Sequence, residues 1–197
     1  MKQLFLDSAT NLLYVAVAKN GNLIEETIRI GKKDHAKYVV DRIALLLKRR
    51  ELKIKEIKEI YVGVGPGSYT GLRVSVTVAK MLAYALGINL YQVSSLYFLA
   101  SGYNYPHAPM IDARNGNVFA AIYDEDKTLR EDSFLTTDAL KELAKKEAVK
   151  PLMLDEYHYQ IDLKNIIKKA TLVVDVDLLE PNYLRKTEAE RNYDKIN

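Results

Sequence analysis

The sequence predicts a mixed α/β protein that consists of two similar halves. The same order of elements occurs twice: three strands in close succession, then a helix, a strand, a helix and a further strand. Each half has an Asn-Gly dipeptide, typical of tight turns between strands, at residues 20–21 and 115–116. A stretch of Gly, Asn, Tyr and Pro residues at 101–107 separates the halves. We therefore predict two domains, 1–102 and 103–197.

Short apolar runs predict the strands, and apolar residues at three- and four-residue spacing predict the helices. In the first half we expect strands at residues 2–7, 12–19, 23–30, 57–64 and 89–93, and helices at 34–49 and 72–86. In the second half we expect strands at 109–113, 117–123, 128–135, 151–155 and 171–176, with helices from 137 or 138 to 148 and around 163–170. Asp34 is the expected N-cap of the first helix.

Two copies of this order describe a duplicated ribonuclease-H-like fold, the architecture of the actin-like ATPases (ASKHA). Each domain of that fold has a mixed sheet with flanking helices. One continuous α/β domain is the alternative. In ATPases of this class, the first hairpin of each copy supplies a Gly-rich phosphate loop with a metal-orienting Asp.

The two corresponding loops, residues 7–11 and 112–116, keep the acidic residue but have few glycines. Asp7 and Asp112 are present, with Ser8 and Thr10 as further polar members, but the first loop has no Gly and the second has one. A backbone without glycine approaches phosphate oxygens poorly. We therefore expect at most weak nucleotide or anion binding at these loops, with Asp7 and Asp112 still able to orient a hydrated magnesium ion.

A second glycine-rich segment, residues 63–73, lies between the predicted strand 57–64 and the helix 72–86. Ser68 or Thr70 is expected to cap that helix, and the loop around Gly65 and Gly67 could hold an anion or pack tightly against neighbouring backbone. The segment does not have the Gly-Lys-Ser/Thr ending of a Walker A loop, the spacing of a dinucleotide fingerprint or the pattern of a nucleophile elbow. Both interpretations stay open.

The composition excludes several kinds of site. The chain has 197 residues and no cysteine, which excludes disulfides and cysteine metal sites and is typical of a reducing cytosol. No stretch approaches the roughly 18 apolar residues of a membrane span. The three histidines, His35, His107 and His158, are far apart in sequence and are expected at surface or loop positions. We predict no metal site and a cytoplasmic location.

The two helices of the first half carry more apolar residues than one sheet face requires. The surplus residues are Tyr38 and Leu45 on the first helix, and a second stripe on the other. That stripe consists of Leu72, Val76, Ala79, Ala83 and Leu86. We interpret these seven residues as a surface for another protein; the alternative is burial between the sheet and the second domain.

Three segments together resemble the bacterial TsaB family, also called YeaZ. They are residues 63–73, with the sequence GVGPGSYTGLR, residues 109–119, with PMIDARNGNVF, and residues 181–185, with PNYLR. The resemblance extends in order over nearly the whole chain, although the second half is shorter than is usual in the family. It implies an actin-like fold and a non-catalytic role in forming threonylcarbamoyladenosine in ANN-decoding tRNAs.

The resemblance also implies partners. The family is related to TsaD, the subunit that transfers the threonylcarbamoyl group and carries a His-x-x-x-His metal motif after the strand that follows the second helix. Here Ser95 and Leu99 occupy those positions. The expected role is a scaffold that pairs with TsaD and, through it, with the ATPase TsaE, and meets tRNA only in that complex. No intrinsic cofactor is expected, with Mg-ATP bound weakly at most, at a partner interface. Whether the isolated chain homodimerises stays open. A glycoprotease-type metallopeptidase and a small-molecule kinase are the alternatives.

Overall fold

The computed structural model describes residues 1–31, 34–125 and 127–184, and in these ranges it contains two mixed β-sheets with helices packed against them. The strands are β1 Lys2–Asp7, β2 Leu12–Lys19, β3 Asn22–Ile30, β4 Ile57–Gly63, β5 Asn89–Val93, β6 Ala108–Asp112, β7 Asn117–Tyr123, β8 Thr128–Thr136, β9 Pro151–Met153 and β10 Thr171–Leu172. The helices are α1 His35–Arg49, α2 Tyr69–Leu86, α3 Ser95–Ala100, α4 Thr137–Lys146 and α5 Leu163–Lys169.

The two sheets repeat one arrangement. In the first sheet, β1 pairs antiparallel with β2 and parallel with β4, and β3 continues the meander beyond β2. In the second sheet, β6 pairs in the same way with β7 and β9, and β8 lies beyond β7. The predicted duplicated ribonuclease-H-like fold is therefore confirmed. The Asn-Gly turns are confirmed as well, since Asn20, Gly21, Asn115 and Gly116 all have positive φ.

The last described strand belongs to the first sheet. Strand β10 has two residues and pairs antiparallel with β5, Thr171 opposite Gln92. The predicted strand 171–176 of the second half is therefore wrong in length and in sheet. Helix α5 explains this, because Leu163 and Ile166 pack into a core shared with the first sheet and so return the chain to that sheet.

Residues 173–184 also lie against the first half. The N–H of Val173 donates to the carbonyl oxygen of Leu90, and the N–H of Asn182 donates to that of Val64. The predicted domains, 1–102 and 103–197, assign this segment to the second half, whereas its backbone hydrogen bonds join it to the first. Residues 185–197, including Arg185 of the PNYLR motif, lie outside the described residues.

Successive side chains of β1 point to opposite faces of the sheet, so the core of the first half has two sides. Leu4 and Leu6 point toward α1 and α2, while Phe5 points toward α3, α5 and residues of the second sheet. Helix α3 was not predicted. All six of its residues are buried, so it has no polar face and no helical periodicity in its sequence.

The predicted helix starts are partly correct. Ser68 caps α2, because its side chain accepts a hydrogen bond from the N–H of Gly71 at 3.3 Å. Asp34 occupies the N-cap position of α1 but makes no capping bond, since its carboxylate pairs with Arg29 instead. No helix in the described ranges is long and apolar enough to cross a membrane.

Candidate functional site

The glycine-rich loop between β4 and α2 is filled by the β1–β2 turn of the same chain. The hydroxyl of Ser8 donates to the carbonyl oxygen of Gly71 at 2.6 Å, and the N–H of Ser68 donates to that of Ala9 at 2.7 Å. A Cβ atom on Gly71 would overlap the Ser8 carbonyl, and one on Gly67 would overlap that of Ala9. The glycines are thus required by close backbone packing, the second of the two interpretations of this loop.

The loop's own backbone donors are also engaged. The N–H of Gly65 donates to the hydroxyl of Ser95 at 2.9 Å, and those of Ser68 and Gly71 donate within the chain as described. An anion at this loop would have to displace these bonds. The predicted anion contacts of Gly65, Gly67 and Ser68 therefore have no support in the geometry. The β1–β2 turn fills the loop, and three backbone N–H groups of the loop already donate to atoms of the same chain.

Asp7 lies beneath this loop and is buried. One carboxylate oxygen accepts from the Ser95 hydroxyl at 2.6 Å and the other from the N–H of Ala9 at 2.9 Å. A Cβ atom on Gly63 would overlap the first oxygen, so the carboxylate needs glycine there. Burial raises the pKa of Asp7 to about 6, although these two hydrogen bonds oppose the rise. The expectation that Asp7 orients a hydrated metal ion does not fit this environment, because a 1% exposed carboxylate cannot contact a hydrated ion without rearrangement.

The equivalent Asp112 in the second half is exposed. Its carboxylate accepts a hydrogen bond from the N–H of Arg114 at 2.8 Å, which closes a turn with positive φ at Arg114 and Asn115. Thr10, in the first loop, bonds similarly, because its hydroxyl accepts from the N–H of Leu12 at 3.1 Å. These two polar residues stabilise their own turns.

The expectation that all three histidines are surface or loop residues is wrong for His35, which is buried at the start of α1; His107 is a loop residue that is also buried. His35 is 4% exposed and bonds through Nε2 to the carbonyl oxygen of Thr10 at 3.1 Å. His107 is 2% exposed and stacks on Tyr105, and burial lowers its pKa. His158 is exposed and bonds to Asp155, as expected. In the described part of the chain, no group of three or more His, Asp or Glu residues is placed to hold a metal ion.

Most of the predicted partner stripe on α2 is in the core. Leu72, Val76, Ala79 and Ala83 are at most 2% exposed. The prediction that they form a surface is wrong, because this stripe is the one that faces the sheet, and the small Ala side chains allow α2 to pack closely. Leu86 is half-buried.

Exposed apolar residues do occur on the outer sides of α1 and α2, which pack against each other. Leu45 is exposed, as predicted, and Tyr38 is half-buried with the guanidinium group of Arg29 above its ring. Residues outside the prediction are more exposed: Val40 (61%), Met81 (66%) and Tyr84 (79%). We use the name α1–α2 face for the exposed sides of these two helices, which carry Val40, Leu45, Met81 and Tyr84.

A pocket of about 240 Å³ lies where β5, β7, β8 and α5 meet, and sequence analysis did not predict it. Its polar centre is Asp132 on β8, which accepts from the Ser94 hydroxyl at 2.8 Å and from the side-chain amide of Asn182 at 3.4 Å. Asn182 belongs to the PNYLR motif, and this motif is the sequence feature that could have pointed to the pocket. Burial raises the pKa of Asp132 to about 6.

Comparison with known proteins identifies the family. A family model described as "TsaD: tRNA N6-adenosine threonylcarbamoyltransferase" matches residues 24–151, more than half of the chain. The chain is 35% identical over 136 residues to the Bacillus subtilis "tRNA threonylcarbamoyladenosine biosynthesis protein TsaB", a match that covers 66% of this chain and 58% of the relative. The chain belongs to the TsaB (YeaZ) family, which is related to TsaD. It is 27% identical over 132 residues to the Escherichia coli protein of the same description, covering 64% and 57%.

The fold comparison agrees with this assignment. The solved structure of YeaZ from Pseudomonas aeruginosa superposes with a TM-score of 0.73 at 21% identity, covering 93% of this chain and 99% of that one. At this identity the match establishes the fold alone. The chain spans less than three fifths of the length of the B. subtilis and E. coli relatives that it matches. The resemblance noted from the three sequence segments is confirmed.

Proposed function

We propose that the chain is a non-catalytic scaffold subunit in the formation of threonylcarbamoyladenosine in tRNA. In this proposal it pairs with a TsaD-type transferase and, through it, with TsaE, in the cytoplasm, and meets ANN-decoding tRNA only within that complex. Family membership supports a role of this chain in threonylcarbamoyladenosine formation, because the B. subtilis and E. coli relatives are described as tRNA threonylcarbamoyladenosine biosynthesis proteins.

The observation that carries the non-catalytic role is the environment of Ser95 and Leu99. These residues occupy the positions where the resemblance places the two metal-binding histidines of TsaD. Both are fully buried on α3. The Ser95 hydroxyl is held between Asp7 and the N–H of Gly65, and Leu99 belongs to the core shared by the two sheets. A catalytic metal needs imidazole or carboxylate ligands that face an open coordination position, whereas these side chains stabilise the fold.

The α1–α2 face is the proposed partner surface. Scattered apolar residues are normal on protein surfaces, but Val40, Met81 and Tyr84 are each more than half exposed on neighbouring helices. Met and Tyr are enriched at protein interfaces. Two such helices can pack against two from a partner as a four-helix arrangement. An isologous homodimer through the same face would compete with the TsaD complex.

The proposal on cofactors follows from the loops that correspond to the phosphate loops of the ATPases, residues 7–11 and 112–116. We propose that the chain has no intrinsic cofactor and that it binds Mg-ATP weakly at most, at a site completed by residues of a partner. The support is the closed packing of the β1–β2 turn against the glycine-rich loop, which leaves Asp7 buried.

Co-elution with TsaD from the same organism tests the partner surface. The variants Leu45→Arg and Tyr84→Glu place a charge on the α1–α2 face and should weaken association by about 3 kcal/mol, roughly a hundredfold in Kd. Matched controls are Leu129→Arg and Tyr157→Glu, at exposed positions of the second half. We expect all four variants to fold by circular dichroism and only the controls to co-elute.

Two results would contradict parts of this proposal. If Leu45→Arg and Tyr84→Glu bind TsaD as the controls do, the interface is elsewhere on the chain. If the unmodified chain fails to bind TsaD at all, the scaffold role itself is wrong.

A further inference from the structure

The pocket around Asp132 contains two charged groups, Asp132 and Lys169, that neither the proposed scaffold role nor the packing of the core requires. It is bounded by both halves of the chain: Ser94 and Tyr97 come from the first half, and Tyr123, Thr128, Asp132 and Lys169 from the second. Its volume of about 240 Å³ lies below the range of drug-sized ligand sites, so any occupant is small.

Asp132 supplies a negative charge at the inner side of this pocket. Its Oδ1 atom accepts from the Ser94 hydroxyl at 2.8 Å and from the Tyr123 hydroxyl at 3.2 Å, and its Oδ2 atom lies 3.4 Å from the side-chain nitrogen of Asn182. All three donors are neutral, and Asp132 forms no salt bridge with any residue in the described ranges. Two carboxylate oxygens offer about four acceptor positions, so one remains for a further donor.

Lys169 supplies a positive charge at the rim. It is exposed, and its Nζ atom donates to the Thr128 hydroxyl at 2.6 Å. The same atom lies 5.8 Å from the ring centroids of Tyr97 and Tyr123. The Tyr123 hydroxyl in turn contacts Asp132, so the aromatic wall connects the two charges. An ammonium near two aromatic faces keeps two of its three donors for a ligand.

We propose that this pocket binds a small zwitterion of the α-amino acid class, with the ammonium group of the ligand at Asp132 and its carboxylate at Lys169. The arrangement of charge selects this class. A simple anion would face the carboxylates of Asp132 and Glu131, and a simple cation would face Lys169, whereas a zwitterion satisfies both ends. Tyr97 and Tyr123 cover a short aliphatic side chain between the two ends.

The proposal does not rest on the scaffold role, and each can fail without the other. Residues of the α1–α2 face take no part in the pocket. The two tests therefore use different variants and different ligands.

The test measures binding of L-alanine and L-leucine to the ¹⁵N-labelled chain by NMR titration. Ethylamine is alanine without the carboxylate, and propionate is alanine without the ammonium group, so these two probes separate the contributions of the charges. We expect at least one amino acid to bind with a millimolar or lower Kd, with shifts at Tyr97, Tyr123 and Lys169. Each single-charge probe should bind at least about tenfold more weakly.

Variants of Lys169 and Asp132 test whether these two residues contact the amino acid. Lys169→Gln and Asp132→Asn should each weaken amino-acid binding about tenfold or more, whereas the matched controls Lys168→Gln and Asp138→Asn should change it less than about twofold. Lys169 is exposed, so its variant keeps the test valid if Asp132→Asn fails to fold. The proposal is overturned if neither amino acid binds, if ethylamine or propionate binds as well as alanine, or if Lys169→Gln binds like the unmodified chain.

Discussion

Replacement of Asp7 by Asn should make folding stability less dependent on pH. Asp7 is buried, and its pKa is raised from 3.8 to about 6. A carboxyl group with a higher pKa in the folded than in the unfolded chain holds its proton more tightly when folded. The free energy of unfolding therefore falls as the pH rises from about 4 to about 6, and the loss is complete above that range.

The size of the effect follows from the two pKa values. A rise of about two pKa units corresponds to a penalty of about 3 kcal/mol at neutral pH. About half of this penalty is already present at pH 5, so a further loss on the order of 1 kcal/mol develops between pH 5 and pH 7.5. Asn cannot ionise and carries no such penalty. It must rearrange the hydrogen bond with Ser95, which costs about 1 kcal/mol at either pH.

The assay is urea unfolding of the unmodified chain and of Asp7→Asn at pH 5 and pH 7.5. The variant's free energy of unfolding, relative to that of the unmodified chain, should be larger at pH 7.5 than at pH 5 by on the order of 1 kcal/mol. Asp132, whose pKa is also raised to about 6, contributes equally to both proteins. The control is Asp112→Asn, the exposed counterpart in the second half, whose difference from the unmodified chain should stay constant within about 0.5 kcal/mol. An Asp7→Asn difference that is equal at both pH values would refute the buried-carboxyl account.

Three further predictions concern the glycine-rich loop, helix α2 and nucleotide binding. Gly71→Ala should lower the free energy of unfolding in urea by roughly 2–4 kcal/mol, because the new Cβ atom would overlap the Ser8 carbonyl. The control Gly87→Ala, at a φ of 62° with no atom within 4 Å, should lower it by about 1 kcal/mol, and equal losses would argue against the tight loop. Ala83→Glu should lose the cooperative thermal transition seen by circular dichroism, since it buries an unpaired charge, and a normal melt would mean that α2 presents this stripe outward. Calorimetry of the isolated chain with Mg-ATP should show no site tighter than roughly 10 µM, near −7 kcal/mol; a tight one-to-one isotherm abolished by Asp7→Ala would revive the kinase alternative.

Local sequence signals predicted most of the fold. The Asn-Gly turns, the capping Ser68 and the apolar runs each depend on neighbouring residues, so the strands of both meanders were placed within one or two residues of their ends. Helix α3 and the sheet to which β10 belongs were beyond such signals. The helix is buried on all sides, and β10 pairs with β5, which lies about 80 positions earlier in the chain.

The candidate site residues depended on contacts that sequence does not display. Helix α2 has two apolar stripes, and the position of the sheet decides which of them is buried. The small Ala79 and Ala83 favour close packing against a neighbour, but their spacing cannot distinguish the chain's own sheet from a partner. Asp132 and Lys169 are 37 positions apart and meet at one pocket only through the second sheet and α5.

The central claim, a subunit that supports the transfer reaction without performing it, is tested most directly by one assay. Transfer of the threonylcarbamoyl group from threonylcarbamoyl-AMP to unmodified tRNA is measured with this chain alone, with TsaD alone, and with both, TsaE and ATP being present throughout. The account predicts no product from this chain alone and more product from the mixture than from TsaD alone. Substantial product from this chain in the absence of TsaD would contradict it.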